Sequence, residues 1–456
     1  VAYGLQEQPN LDGRVRGFLV NFLGLVLLGL AAAGGFLLFS SEETKIEPLV
    51  PLPKALGFSS PIRVRLSNPQ GVRRVTAWIE QNSVKYEIFD QSYAGTWRDW
   101  IYKGKPPVES QFVAGKGRAP ALAAGPAKLV IRAIANNLRG RETLLARDMP
   151  VVLGPPGVRV DPEPVFLRRG GTGVVAFHAS GNWSEAGVRV GKYNFPSFPA
   201  KGDPNYRIAI FAYPHDVDLE TPPLAVARNL AGDEVTAIFR HHVTPVRFRE
   251  REVKIGDPFL ERVVNRIDPS GNEELWKRFA KINSETRRAN DRFLSELNSR
   301  TSPSRLWKGA FLLLPKASNE ARFADRRSYL YHGRELNREW HLGVDLASVK
   351  NAPLPAANSG VVLFAGPLGI YGNCVAIDHG LGVQSIYGHM AKIDVKEGDK
   401  VERGQIIGNT GMTGLAGGDH AHIGLQLNGV FVDPVEWSLP KWMDKSLMPL
   451  VSQIGQ

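Results

Sequence analysis

The sequence predicts a mainly β protein: an N-terminal transmembrane helix, two β-sandwich domains, a helical connector and a C-terminal antiparallel β domain. Three observations carry this expectation. Short Val/Ile/Phe-rich runs alternate with Gly, Pro, Asn and Asp clusters over most of the chain, and 47 Gly and 32 Pro supply the turns. One uncharged run of membrane length lies near the N-terminus. Between residues 257 and 297 the apolar positions recur at helical rather than alternating spacing. At 456 residues the chain exceeds one ordinary core, so two to four domains are expected.

The first element follows a short segment, 1–17, in which Arg14 and Arg16 stand just before the apolar run. Residues 18–39 carry no charge and span about 33 Å as a helix, enough for a bilayer core of about 30 Å. Glu42, Glu43 and Glu47 follow, so the excess of positive charge on the N-terminal side places residues 1–17 in the cytoplasm and the rest outside it. Ala31-Ala32-Ala33 offers a signal-peptidase site, but apolar residues continue to Phe39, which favours a retained anchor. The Pro-rich stretch within 40–58 reads as a semi-rigid linker.

Residues 59–153 and 154–248 read as the two sandwiches, with strands such as IRVRLSN, KLVIRAIA, GTGVVAFHA and YRIAIFAYP between turn signals. An internal echo supports two copies. ANNLRGRE (135–142) matches ARNLAGDE (227–234) at five of eight positions, and Asn-Leu-x-Gly between strands fits a hairpin turn. These segments resemble bacterial immunoglobulin-like modules. Residues 249–300 read as a helical connector: Pro258 suits a first helical turn, Leu260, Val263, Val264 and Ile267 form one stripe, and NSETRRAND is polar all round. A C-terminal domain at 301–444 and a tail at 445–456 complete the chain.

Net charge is +11, which suits an anionic partner such as a wall polymer or a membrane surface. No Lys/Arg block with interleaved aromatics argues for nucleic acid. The single cysteine, Cys374, excludes an internal disulfide and a Cys-rich zinc site, and reads as a buried strand residue.

Five of the ten histidines fall within 341–422, four of them in HLGVD (341–345), SIYGHM (385–390) and HAH (420–422). On a strand His420 and His422 share a face about 7 Å apart and can converge on one metal. Four extended residues span about 13 Å, so HLGVD must bend for His341 and Asp345 to share an ion, and Gly343 allows it. Two His and one carboxylate form a catalytic zinc shell with a position left for water, whose pKa the ion lowers towards 7. Spacing alone leaves open which histidine of HAH is the ligand. His379 in IDHG reads as structural.

The run from HLGVDLAS through SGVVLFAG, GIYGNCVAIDHG, SIYGHM and VKEGDKVERGQIIGNTG to GGDHAHIGLQ resembles the M23 family of zinc metallopeptidases, the lysostaphin- and LytM-type enzymes, over roughly residues 310–440. The resemblance implies one Zn2+ held by His341, Asp345 and His422, with His389 and His420 as catalytic residues. It implies an endopeptidase that cuts peptidoglycan cross-links, facing the periplasm or exterior of a bacterial cytoplasmic membrane, with peptidoglycan and other envelope proteins as partners. The alternative is a catalytically silent or autoinhibited scaffold that activates another wall hydrolase. Ile423-Gly424 follows HAH where the family often has Phe-Glu, which bears on the shape of the groove. ARFADRRSYLYHGRELNREWH (321–341) resembles the family's substrate-covering loop; Arg326, Arg327, Tyr329 and Tyr331 suit either contact with an anionic, sugar-linked peptide or a solvated loop.

Overall fold

The computed structural model describes residues 11–39, 41–101 and 103–455. Leu11–Phe39 is one α-helix, and its stretch Phe18–Phe36 has mean hydropathy 2.1 with none of it buried. That length and composition suffice to cross a membrane. The chain then divides into two compact units, one reaching residue 154 and including 229–233, the other comprising 155–228 and the residues from 234 onward.

In the first unit, Lys45–Pro48, Ser60–Ser67 and Val108–Ala114 form one antiparallel sheet. Val84–Ser92, Val72–Gln81, Lys128–Ala135 and Glu142–Asp148 form another. Alternation decides which face is buried: Ile62, Val64 and Leu66 point inward between exposed Arg63 and Arg65. They share a core with Val75, Ala77, Ile79, Leu129 and Ile131 of the second sheet. Lys45–Pro48 corrects the reading of 40–58 as linker throughout. It is an edge strand, the one place in a sheet where Pro48 forfeits no ladder bond.

The repeated Asn-Leu-x-Gly motif has a physical cause. Asn137 Oδ1 accepts from Arg141 N (3.2 Å), and Asn229 Oδ1 accepts from Asp233 N (2.9 Å), so each asparagine ties its own turn. Gly140 and Gly232 follow with φ of +58° and +92°, which only glycine adopts cheaply.

In the second unit a seven-stranded antiparallel sheet runs in the order Glu234–Ile238, Leu224–Arg228, Glu185–Val190, Tyr193–Ala200, Asp203–Ala212, Thr172–Ser180, Gly157–Val160. Phe177, Ile208, Ile210 and Phe211 from this sheet belong to the same apolar core as Trp307, Phe311, Leu354 and Trp437. A polar seam runs alongside: Glu436 accepts from Thr172 N (2.8 Å), and Trp437 Nε1 donates to Thr172 Oγ1 (3.0 Å). Residues 440–451 turn helically and bury Met443, Leu447 and Val451, and Ile454 beyond them bridges to Ala200.

The sheet that carries the site is eight-stranded. Its main path runs Ser318–Ala321, Val344–Ala347, Ala421–Leu427, Val383–Met390, Gly372–Gly380, Gly360–Leu368, Lys400–Val401, with Val430–Val432 beside Ala421–Leu427. Cys374 is buried in it, and His379 is buried with Nδ1 bonded to Ser359 O (2.8 Å) and Nε2 to Ser385 Oγ (2.7 Å).

Two expectations change around this sheet. Residues 321–341 form a hairpin rather than a loop: Asp325–Tyr331 pairs with Arg334–His341 across His332-Gly333, both at positive φ (48° and 79°), the geometry of a two-residue turn. Glu250–Ile255, expected as connector helix, is a strand that adds in parallel to Asp325–Tyr331. The helices then follow as expected at Asp257–Ile267 and from Leu275 to Leu297, the latter with a π turn at Ile282–Thr286. The polar middle of the second packs through buried amides: Asn283 Nδ2 donates to Asn337 Oδ1 (2.8 Å), and Asn290 Oδ1 accepts from Ile370 N (2.9 Å).

Candidate metal centre

His341 ends one strand and Val344 begins the next, so the chain turns at Leu342-Gly343. The turn brings His341 Nε2 to 2.9 Å from Asp345 Oδ1. Asp345 pairs across the sheet with His422, and His422 pairs with Gly388 on the far side. Three neighbouring strands thus deliver Asp345, His422 and the residue beside His389 to one place. His422 Nδ1 lies 3.0 Å from both Asp345 Oδ1 and His341 Nε2.

Hydrogen bonding assigns the ring protons. A carbonyl only accepts, so His341 Nδ1 donates to Arg322 O (3.0 Å) and its Nε2 keeps a lone pair. By the same argument His389 Nδ1 donates to Thr413 O (2.9 Å) and His420 Nδ1 to Gly418 O (2.8 Å). In the neutral rings Nε2 is then the nitrogen with the lone pair, and that of His420 lies 3.5 Å from Asp345 Oδ1, a contact that becomes a bond when the ring is protonated. His389 has φ +64°, a left-handed conformation rare for a non-glycine residue and costly enough to be typical of functional positions.

Two imidazole nitrogens and one carboxylate oxygen, all buried and all within 4.8 Å of one another, suit a divalent cation. The lone pair of His341 Nε2 faces the anionic oxygen of Asp345 at 2.9 Å, and the buried Nε2 of His422 has no hydrogen-bond partner, so the donor set fits a metal. Burial opposes the charge of Asp345, yet His341, His420 and His422 hold its carboxyl well below the usual range. Burial pushes His422 down to about 4 and, with His420 and His422 beside it, His389 well below its ordinary value. Burial also opposes protonation of His420, but its bond to Asp345 wins and raises it.

All five predicted site residues therefore meet in one cleft. The sequence reading missed others that line it. Arg327, expected to face substrate, turns inward and donates to Asp345 Oδ2 (2.8 Å). Tyr371 packs edge-on to His422 (ring centroids 5.5 Å apart), and its hydroxyl donates to Asp291 Oδ1 (2.8 Å) on the second connector helix. Arg287 and Asp291, from the segment read as polar all round, form part of the cleft wall.

The site is thus a His-Asp-His cluster on a β-sheet that could hold a metal ion, with two further imidazoles beside it. The model of peptidase family M23 matches residues 339–434, and the chain carries a domain of that family. DD-carboxypeptidase/endopeptidase Mpg of Neisseria meningitidis serogroup B is 40% identical over 100 residues, which is 22% of this chain and 23% of that protein. Peptidoglycan DD-endopeptidase ShyA of Vibrio cholerae serotype O1 is 38% identical over 100 residues, with the same two coverages of 22% and 23%. The matched part thus spans less than a quarter of these curated relatives. The catalytic domain of the antimicrobial peptidase lysostaphin from Staphylococcus simulans is 26% identical, covering 29% of this chain and 98% of that one, with a TM-score of 0.25.

Proposed function

We propose that this protein is a zinc metalloendopeptidase that hydrolyses peptide cross-links of peptidoglycan. On this reading it is anchored in a bacterial cytoplasmic membrane by Phe18–Phe36 and faces the periplasm or exterior. The observation that carries the proposal is the convergence of His341 Nε2, Asp345 Oδ1 and His422 Nδ1 to within 3.0 Å of one another, with two further imidazoles at the same cavity. Those three atoms would hold Zn2+, which supplies Lewis-acid polarisation of a carbonyl and water activation near neutral pH. His420 and His389 present free Nε2 atoms to the cleft, so either can take a proton from the attacking water and return it to the leaving amine. His420 is the more basic of the two because Asp345 supports its protonated form.

Mass spectrometry of fragments released from defined wall preparations, with and without a chelator, tests the reading and identifies the bond. Chelator-sensitive release supports it, and intact wall under conditions where the chain carries zinc removes it. His420→Ala is expected to lower turnover by about 10²–10⁴-fold with zinc content unchanged, as for loss of a general acid–base group. Fragment release and metal analysis on the same sample check this.

One observation favours a closed resting form of the same enzyme. The cavity at the site has a volume of about 110 Å³, against about 300–1,000 Å³ for typical ligand sites. Asn290 and Asp291 hold the second connector helix over it through Ile370 and Tyr371. On the first, Arg262 donates to Ala416 O (3.3 Å) and Arg266 to Met412 O (3.0 Å), fixing the loop before His420. Replacing both arginines with Ala is expected to raise the rate of wall cleavage several-fold without changing zinc content. An unchanged rate rules out these contacts as the restraint.

A further inference from the structure

We infer that Arg327 is a positioning residue of the metal centre: its guanidinium pins Asp345 so that a single oxygen faces His341 and His422. The inference rests on the metal reading above. Arg327 Nη2 lies 2.8 Å from Asp345 Oδ2, while Oδ1 of the same carboxylate lies 2.9 Å from His341 Nε2 and 3.0 Å from His422 Nδ1. The two oxygens are thereby given different tasks. A carboxylate without such a partner can rotate, offer both oxygens to an ion, or swing towards His420, whose Nε2 is 3.5 Å from Oδ1. Both partners are largely enclosed, with side chains 19% and 12% exposed, so solvent screens their bond little. Burial works against the charge of Arg327, but Asp345 and Tyr329 keep it firmly protonated.

The support reaches further back along the chain. Arg249 grips buried Asp325 with two bonds, Nε to Oδ1 at 2.9 Å and Nη2 to Oδ2 at 2.6 Å. Asp325 Oδ2 also accepts from Arg322 N (3.0 Å), and the carbonyl of Arg322 receives the Nδ1 proton of His341. The strand Asp325–Tyr331 therefore orients two of the three proposed ligands: His341 through the turn at its start, Asp345 through Arg327. None of Arg249, Arg322, Asp325 or Arg327 falls within residues 339–434, the part matched by the family model. Outer partners of metal ligands fix their rotamer and tune affinity, and losing one costs about 10–100-fold in metal binding.

The test is zinc affinity of the full chain in detergent, measured by competition with a chromophoric chelator, for wild type, Arg327→Met, Arg327→Lys and Arg326→Met. Arg326 is the control: it lies on the adjacent position, over Trp340, with its side chain 42% exposed. Arg327→Met is expected to bind zinc about 10–100-fold more weakly. Arg327→Lys, which keeps the charge but not the planar fork, should fall between it and wild type. The visible spectrum of the cobalt(II)-loaded chain should shift in both Arg327 variants and not in Arg326→Met. A role confined to fold stability would lower the melting temperature of the metal-free chain and leave affinity and spectrum alone. Should Arg327→Met fail to fold, Arg327→Lys alone decides. Wild-type affinity and an unshifted spectrum in the folded Arg327 variants, or an equal loss in Arg326→Met, overturn the inference. A wild-type chain that binds no zinc overturns the metal reading itself.

Discussion

His341→Ala is expected to abolish zinc binding and wall cleavage together, leaving activity at the level of the chelator-treated wild type. His341 contributes one of three donor atoms, and its Nδ1 bond to Arg322 O is what turns Nε2 towards the other two. Removing the ring leaves Asp345 and His422, and two donors from protein do not complete a zinc shell. The substitution is cleaner than Asp345→Ala, which would strand Arg327 as a buried, unpaired charge at about 3–5 kcal/mol. Metal analysis of the purified variant and fragment release from wall, read side by side, check the result. Cleavage that persists in a zinc-free His341→Ala chain would end the metal account.

Gly343→Ala is the second large effect expected. A Cβ at residue 343 would sit 2.6 Å from Ile423 O and 2.7 Å from both Cε1 and Nε2 of His422. The oxygen belongs to a strand paired with Val344–Ala347, so it has little freedom to withdraw. The imidazole must give way, and it cannot do so while Nδ1 stays beside Asp345. Overpacking of this kind costs about 1–3 kcal/mol in stability, and here the displaced ring is a proposed ligand. Melting curves recorded with and without added zinc should show a lower midpoint and little of the zinc-induced rise that wild type gives. A variant with the wild-type zinc response would mean that the site tolerates a bulkier residue at 343.

One part of the site could be read from spacing because it is local: His341 and Asp345 stand four residues apart. Their convergence needs only a bend, which the glycine between them announces, whereas the pairing that brings His422 to Asp345 joins distant strands and its ligand role came from the family resemblance. The sequence suggested Gly343 for flexibility, whereas the structure uses it for close approach of His422. What escaped the reading depends on contacts between distant segments. Arg327 touches a carboxylate in another strand, and nothing in RRSYLY distinguishes an inward arginine from a solvated one. The 325–341 hairpin was hidden because His332-Gly333 stands where Asn-Gly would advertise a tight turn. NSETRRAND reads as polar all round, and its burial rests on amide bonds to Asn337 and Ile370 rather than on apolar periodicity.

The bridge between Ala200 and Ile454, over the core that joins the seven-stranded sheet to Trp437 and Val451, bears on when this molecule matures. Strands translated early bury part of their inner faces against helical turns translated much later, so a long intervening loop must close before that contact is rewarded. Until residues 440–454 have emerged and docked, Phe177 and Ile208 lack part of their cover. A newly made chain should therefore depend on holdase protection until this contact forms and become resistant to proteolysis in one late step.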